Sequence, residues 1–366
     1  MTSQRLDSQL IKDALINFDN EIFSYETLSA IFAIRPQEDE LRCITDYLKA
    51  ANNNEDLLDK PELFLLELSR IPAFEERLYC LVYQNKFNES LSSIEFRINN
   101  INSICEELLI STKIRKILGI ILGCGNNMNA ANKARGDADG FDLAILPNLK
   151  DVKSKDNTSN LVQYIAYYYV NKVDDDLNKF PLPEPSDFNF VAQVSFEELE
   201  KEIQRVQKEI EDIEKRIENV FKATSQIDNK NGSSSDSPTG NDQNDQFKKK
   251  IDEFVSKASE ELKEQEENFG KCKTKFQNIV KLYGLKPKSS DNVVTPEYFF
   301  SLWSSFSNDF KNAWKRESQK LSKQRLKEVN EKRNKIKNQT ESKPVDKKSI
   351  KTLFQQKRTE ESKNKH

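Results

Sequence analysis

Histidine is nearly missing from this chain of 366 residues: the single copy is the last residue, His366. Its absence removes every histidine-based catalytic triad and every histidine-ligated metal site. Five cysteines, Cys43, Cys80, Cys105, Cys124 and Cys272, are scattered, odd in number and without metal-site spacing. They read as reduced thiols of a cytoplasmic protein, packed mostly as small hydrophobes. Glycine and proline are scarce, at 9 and 11 copies, which suits long helices better than a compact sheet protein. No apolar run approaches the ~18 residues that a membrane span needs. The opening MTSQRLDSQL lacks the make-up of a signal peptide. Phosphate loops of the G-x-x-x-x-G-K type are also missing. Gly123-Cys124-Gly125 begins a dinucleotide-like pattern, but Met128 stands where the third glycine belongs and a helical run precedes it. With no nucleophile–base pair either, no catalytic residue, cofactor or metal is expected.

Charge, by contrast, is plentiful and uneven. Asp, Glu, Lys and Arg make up 32% of the chain, yet the net is only -3. From Lys311 onward 19 basic residues face 7 acidic ones, so an acidic body carries a basic tail. The tail lacks interleaved aromatics for base stacking and a strong apolar face for a membrane surface. Specific nucleic-acid binding is therefore not expected.

The rest reads as helix after helix. Leu10, Ala14, Leu15 and Phe18 form one stripe, Leu41, Ile44 and Leu48 a second, and Leu63, Leu66, Leu68 and Ile71 a third. Leu108 to Leu122 is apolar nearly all round and predicts one central, buried helix. Ser195 with Glu198 makes a capping box ahead of Phe196, Leu199, Ile203, Val206, Ile210, Ile213, Ile217 and Val220, a heptad seam. A second seam returns through Ile251, Val255, Ala258, Leu262, Phe269, Cys272, Phe276, Ile279 and Tyr283, where Gly284 and Pro287 end it. Between them, about 223–246 is polar and low in complexity, and is expected to be a disordered loop. The seams predict an antiparallel coiled-coil-like hairpin, favoured over an intermolecular coiled coil because both halves lie in one chain. Thr295 with Pro296 opens a further helix that should bury Phe299, Leu302, Phe306 and Phe310. Nothing alternates at period two, so the fold class is all-α, and 331–366 is expected to be a basic, largely disordered tail.

One polar stretch interrupts this pattern: GNNMNAANKARGDADGFDLAILPNLKDVKSKD, from Gly125 to Asp156. A helix-to-helix connection would explain its Asn and Gly residues as turn formers, but not the buried-type residues Met128, Phe141, Leu143 and Leu146. Three blocks in order, G-N-N-M-N, G-F-D-L and L-K-D-V-K-S-K-D, resemble the signature of the formin homology 2 family. The residues that carry the resemblance are Gly125, Asn126, Met128, Asn129, Gly140, Phe141, Leu143, Leu149, Asp151, Ser154 and Asp156. Val152, Ala131 and Gln163 depart from the family's usual Thr, Gly and His.

The resemblance covers roughly residues 8 to 330 and is strongest from 104 to 165. It implies an elongated helical bundle, and an actin-binding protein that promotes filament nucleation and elongation at barbed ends in the cytoplasmic actin cytoskeleton. Lys153 falls on the family's actin-contacting lysine, with Lys150 and Lys155 adding local positive field. The signature residues fall in the post, around which a partner's lasso wraps. Measured against the family pattern, 1–330 reads as a partial domain that opens inside the knob. The lasso, linker and first knob helix are not found, nor is an upstream poly-proline tract. A homodimer weakened by that absence, with no profilin site of its own, is the expectation. The alternative is a truncated, monomeric helical scaffold that keeps the fold and lacks nucleation.

Overall fold

A computed structural model describes residues 8–19, 22–132, 136–173, 176–230, 239–288 and 293–341, of which 223–230, 239–246 and 336–341 as backbone only. Among these residues the chain is all-α. In chain order the helices are α1 (Ser8–Asn17), α2 (Tyr25–Ala33), α3 (Glu38–Ala50), α4 (Lys60–Ser69), α5 (Phe74–Ile110), α6 (Thr112–Met128), α7 (Leu161–Lys172), α8 (Pro185–Ala192), α9 (Phe196–Lys230), α10 (Thr239–Leu282) and α11 (Pro296–Glu341). Short 3-10 segments occupy Glu55–Leu57 and Leu143–Asp151. The chain divides into two compact units, one of Met1–Ile110 with Ser186–Ser301, the other of Ser111–Pro185 with Leu302–His366.

In the first unit α5, α9 and α10 pack on one another. The first heptad seam is buried as its spacing requires: Leu199, Ile203, Val206, Ile210, Ile213, Ile217 and Val220 all lie in the core. Ser195 receives the Glu198 N–H at 3.3 Å and so satisfies one of the free donors at the start of α9. Phe196 stacks edge-on with Phe269 and Phe276 of the returning helix, at 5.9 and 5.4 Å. Gly284 stops α10 with φ +62, and the Gly284 and Leu285 N–H groups reach back to the Lys281 and Val280 carbonyls.

The hairpin has a third member that its own periodicity does not reveal. Ile94, Ile98, Ile101, Cys105 and Leu108 of α5 fill the space beside the two seams. The Tyr83 hydroxyl donates to the Val206 carbonyl at 3.2 Å, and the Tyr283 hydroxyl to the Leu108 carbonyl at 3.0 Å. Lys86 pairs with Glu209 at 2.8 Å, and Arg97 pairs with Glu202. Gln265, one heptad step after Leu262, is buried within the second seam; a polar group there favours one register over its neighbours.

Arg77 ties the smaller helices to this core. Its Nε donates to the Pro72 carbonyl at 3.1 Å and a terminal nitrogen to the Leu15 carbonyl at 3.4 Å. Its guanidinium also lies 4.2 Å from the Phe247 ring centroid. Burial lowers its pKa to about 10, so it stays charged at neutral pH while holding the end of α1.

Several expectations need correction. Leu108 to Leu122 is not one buried helix. Ser111 interrupts it with ψ 115 and accepts the Ile114 N–H, a local hydrogen bond that competes with helical continuation and caps α6 instead. Ile110, next to the break, is exposed. In α1 the inward stripe contains Ile11, and Leu10 faces out. The helices also advance into the stretch expected as a loop, α9 through Lys230 and α10 from Thr239; no Gly or Pro precedes Gly232 to stop the first. The remainder, 231–238, lies outside the described residues. Helix α11 runs on to Glu341, and the tail from 342 lies outside them.

The second unit contains α6, the longer 3-10 segment, α7 and the continuation of α11. Helix α7 packs on α6 and on the 3-10 segment. Phe306 and Phe310 of α11 are buried, and Phe310 meets Tyr169 of α7 at 6.2 Å. Ser307 donates to the Pro183 carbonyl at 2.9 Å and Lys311 pairs with Glu184.

Ile213, fully buried in the first seam, gives the sharpest test of this packing. Ile213→Ala is expected to cost about 2–5 kcal/mol of unfolding free energy, whereas the neighbouring exposed Glu214→Ala stays within about 0.5 kcal/mol. Urea unfolding followed by circular dichroism measures both.

Candidate functional site

The polar stretch after α6 is held by side chains acting on backbone. Asn126 donates to the Ala138 carbonyl at 2.9 Å and accepts the Ala138 N–H at 3.0 Å, so one amide replaces a pair of ladder bonds across 12 residues. Asn129 donates to the Gly125 carbonyl at 2.8 Å and closes the helix end. Gly136 runs so close to this end that a Cβ would stand 2.6 Å from the Asn129 carbonyl oxygen, which leaves room for glycine alone. Residues 133–135 lie outside the described set.

The following 3-10 segment, Leu143–Asp151, starts at Asp142, whose carboxylate accepts the Ala144 N–H at 2.9 Å. It buries Leu143, Leu146 and Leu149. Those leucines recur every three residues, the repeat of a 3-10 helix, so they share one face. Lys150 follows directly and pairs with Asp309 of α11 at 3.5 Å.

A tight turn then carries Lys153. Lys153 and Asn160 form an isolated antiparallel bridge. The Leu161 N–H donates to the Val152 carbonyl at 2.8 Å, and the Ser154 N–H to the Ser159 carbonyl at 2.9 Å. Inside the turn the Asp156 carboxylate accepts the Ser154 hydroxyl at 2.5 Å, the Thr158 hydroxyl at 2.8 Å and the Thr158 N–H at 3.3 Å. These bonds, first the Ser154 hydroxyl and then Thr158, hold the Asp156 pKa down to about 2. Asn157 takes a left-handed φ of 57, as the reversal requires. Asn160 and Gln163 then cap α7 reciprocally, at 3.0 and 3.1 Å. Gln163, a departure from the family pattern, thus has a structural duty. Val152 contributes its carbonyl, which is indifferent to the side chain.

Lys153 and Lys155 are exposed and make no ion pair with the described residues. Lys153 also stands on the rim of an open groove of about 830 Å³. Its floor is Gly119, Ile120, Gly123 and Met128 from α6, with Tyr164 and Tyr168 from α7. Met128, expected among buried residues, is 57% exposed here, and Tyr164 and Tyr168 are exposed as well. Gly119 and Gly123 have nothing within 4 Å of a would-be Cβ, so α6 offers bare backbone to this space, and Gly125, outside the groove lining, is likewise open. Gly140 is equally open and Phe141 half-buried, while Asp151 is exposed. The sequence marked Met128 and Lys153, but not that α6, α7 and the turn bring them to one groove. The spacing of Gly119 and Gly123, one helical turn apart, was the signal for it.

No cluster of metal-binding side chains occurs among the described residues. Burial pushes the thiols of Cys80, Cys105 and Cys272 up to about 12, which leaves them unreactive. No helix of the described residues is long and apolar enough to cross a membrane. A fixed positive turn thus stands beside an apolar groove.

Comparison with known proteins agrees with the motif. The family model described as Formin Homology 2 Domain matches residues 1–311. The chain is 39% identical over 332 residues to "Formin" of Gallus gallus, covering 89% of this chain and 26% of that protein. It is 38% identical over 355 residues to "Formin-1" of Homo sapiens, covering 96% and 24%. It is 31% identical over 323 residues to "Protein cappuccino" of Drosophila melanogaster, covering 86% and 29%. The chain belongs to the formin homology 2 family, and it spans about a quarter of the length of these relatives.

The turn has a pH signature. The Asp156 pKa in the folded chain, about 2, lies below its ordinary value of 3.8. Its contribution to the turn is therefore complete above that ordinary value and is lost as pH falls through the folded one. Amide exchange at Ser154 and Thr158 is expected to stay slow at pH 5 and to accelerate, beyond the intrinsic rate, only as pH drops from about 4 towards about 2. Asp156→Asn should remove that transition.

Proposed function

We propose that this chain binds actin at filament barbed ends and promotes nucleation and elongation there, as part of the cytoplasmic actin cytoskeleton. The observation that carries this reading is Lys153: exposed, without an ion pair among the described residues, and fixed by the Lys153–Asn160 bridge and the Asp156 network. Membership in the formin homology 2 family supports it. A lysine presents a compact charge suited to a carboxylate partner, and a turn ordered beforehand loses little entropy on docking. The action is stoichiometric. Holding two actin subunits in filament-like geometry offsets the entropy cost of nucleation, and no bond is made or broken. Lys155 adds positive field beside Lys153. The basic face of α11 adds a non-specific attraction that weakens with salt.

The groove between α6 and α7 belongs to the same proposal. Its exposed Tyr164, Tyr168 and Met128 and its bare Gly119 and Gly123 suit an apolar segment of a second copy, in the weakened homodimer that the family resemblance implies. No profilin site is assigned to these residues. Light scattering of the purified chain is expected to show a mass that rises from monomer towards dimer as concentration is raised; a monomer at every concentration would count against this part.

Actin assembly followed by pyrene fluorescence tests the main reading. The chain at sub-stoichiometric concentration should shorten the lag. Lys153→Glu should raise the concentration needed by at least about tenfold, with an unchanged circular dichroism spectrum. Equal lag times with wild type, variant and no protein would leave only a helical scaffold without nucleating activity.

A further inference from the structure

The ion pair between Lys150 and Asp309 assigns these two residues a different duty from Lys153. We infer that Asp309 is a positioning residue for the Lys153 turn, acting through Lys150, and that Lys150 is not itself an actin contact. This rests on the reading of Lys153 given above.

The turn is rooted in two stems. Its incoming stem is the end of the 3-10 segment, which carries Lys150 three residues before Lys153. Its outgoing stem ends at Asn160, which bridges back to Lys153 and caps α7. Both stems face one stretch of α11. Lys150 meets Asp309 at 3.5 Å, and Lys150, Asn160, Val162 and Gln163 share a small polar cleft of about 180 Å³ with Asp309, Asn312 and Arg316. The outgoing stem is already fixed by two capping bonds and the bridge. The incoming stem shares that bridge and the Leu161–Val152 bond, but both tie it to the outgoing stem and neither to α11, and Pro147 within it lacks an N–H to give a further bond. The ion pair supplies one.

Helix α11 is firm at that point. Phe310, the next residue after Asp309, is buried against Tyr169, and Ser307 and Lys311 are bonded to Pro183 and Glu184. Asp309 therefore sits on a backbone that does not follow the turn. Its side chain is only 28% exposed while that of Lys150 is 48% exposed, so the carboxylate is the seat and the lysine the arm that reaches it. A lysine engaged in this way lies over α11, whereas Lys153 and Lys155 point to solvent unpaired. Three lysines within six residues are thus divided: one fastens the turn, two are offered.

Charge reversal and charge exchange decide the matter in the full chain. Lys150→Glu and Asp309→Lys should each speed amide exchange at Ser154 and Leu161 and raise the half-effective concentration in pyrene-actin assembly about three- to fivefold, the range for a half-exposed pair. The exchanged double variant, Lys150→Glu with Asp309→Lys, should recover slow exchange and near-wild-type potency, which a merely damaged fold would not. Melting temperatures of all three report overall folding. If the double variant stays as weak as Lys150→Glu while its amides are protected, Lys150 touches actin directly and the inference falls. It falls equally if neither single change alters exchange. Should Lys153→Glu leave assembly unaffected, the actin reading has failed, and amide exchange alone still settles whether Asp309 holds the turn.

Discussion

A charge offered to a partner must stay bare and still be held in one place, and those demands conflict. Side chains that fix a lysine usually do so by pairing with it. In this chain the conflict is resolved by fastening the backbone instead. The carbonyl and N–H groups around Lys153 are taken up by Asn160, Ser159 and Leu161, and the interior of the turn by the Asp156 carboxylate. The ammonium makes no ion pair among the described residues. Asn126, which substitutes for a missing strand at Ala138, applies the same device upstream. A polar stretch that looks like a loosely solvated connection is in fact saturated with short-range hydrogen bonds.

Apolar packing supports this without taking part in it. The leucines at 143, 146 and 149 and the α7 residues Ile165, Ala166 and Tyr169 give the turn a dry footing. The other unit is built by a different rule, three long helices with a seam repeating every seven residues and tyrosine hydroxyls anchored on neighbouring backbones. What the second unit exposes beside its many surface charges is an apolar groove with the Lys153 turn on its rim.

Much of this was legible in the residues themselves. The heptad seam, the Ser195 cap and the Gly284 stop follow from rules that operate within one or two helical turns, and the structure bears them out. The family was legible too, because three separate blocks kept their order. What escaped involves competition or distance. Ser111 breaks a run that hydrophobicity alone would continue, since a cap bond outweighs the loss of one helical step. Met128 looked like a core residue because nothing in its neighbourhood shows that α6 presents it to an open groove. The 3-10 segment was hidden by a three-residue leucine repeat that an eye trained on four-residue steps passes over. Lys150 and Lys153 are alike in type and local surroundings, and only a residue 159 positions away, Asp309, tells them apart.

The account's central claim is that a pre-formed basic turn engages the growing end of an actin filament. Single-filament fluorescence microscopy tests it most directly, with labelled chain observed at the two ends of individual filaments as ionic strength is raised. Residence confined to barbed ends, together with a changed growth rate there and dwell times that shorten with salt, is the predicted result. Barbed ends that grow at the rate of actin alone, with label absent or spread evenly along the filaments, would contradict it.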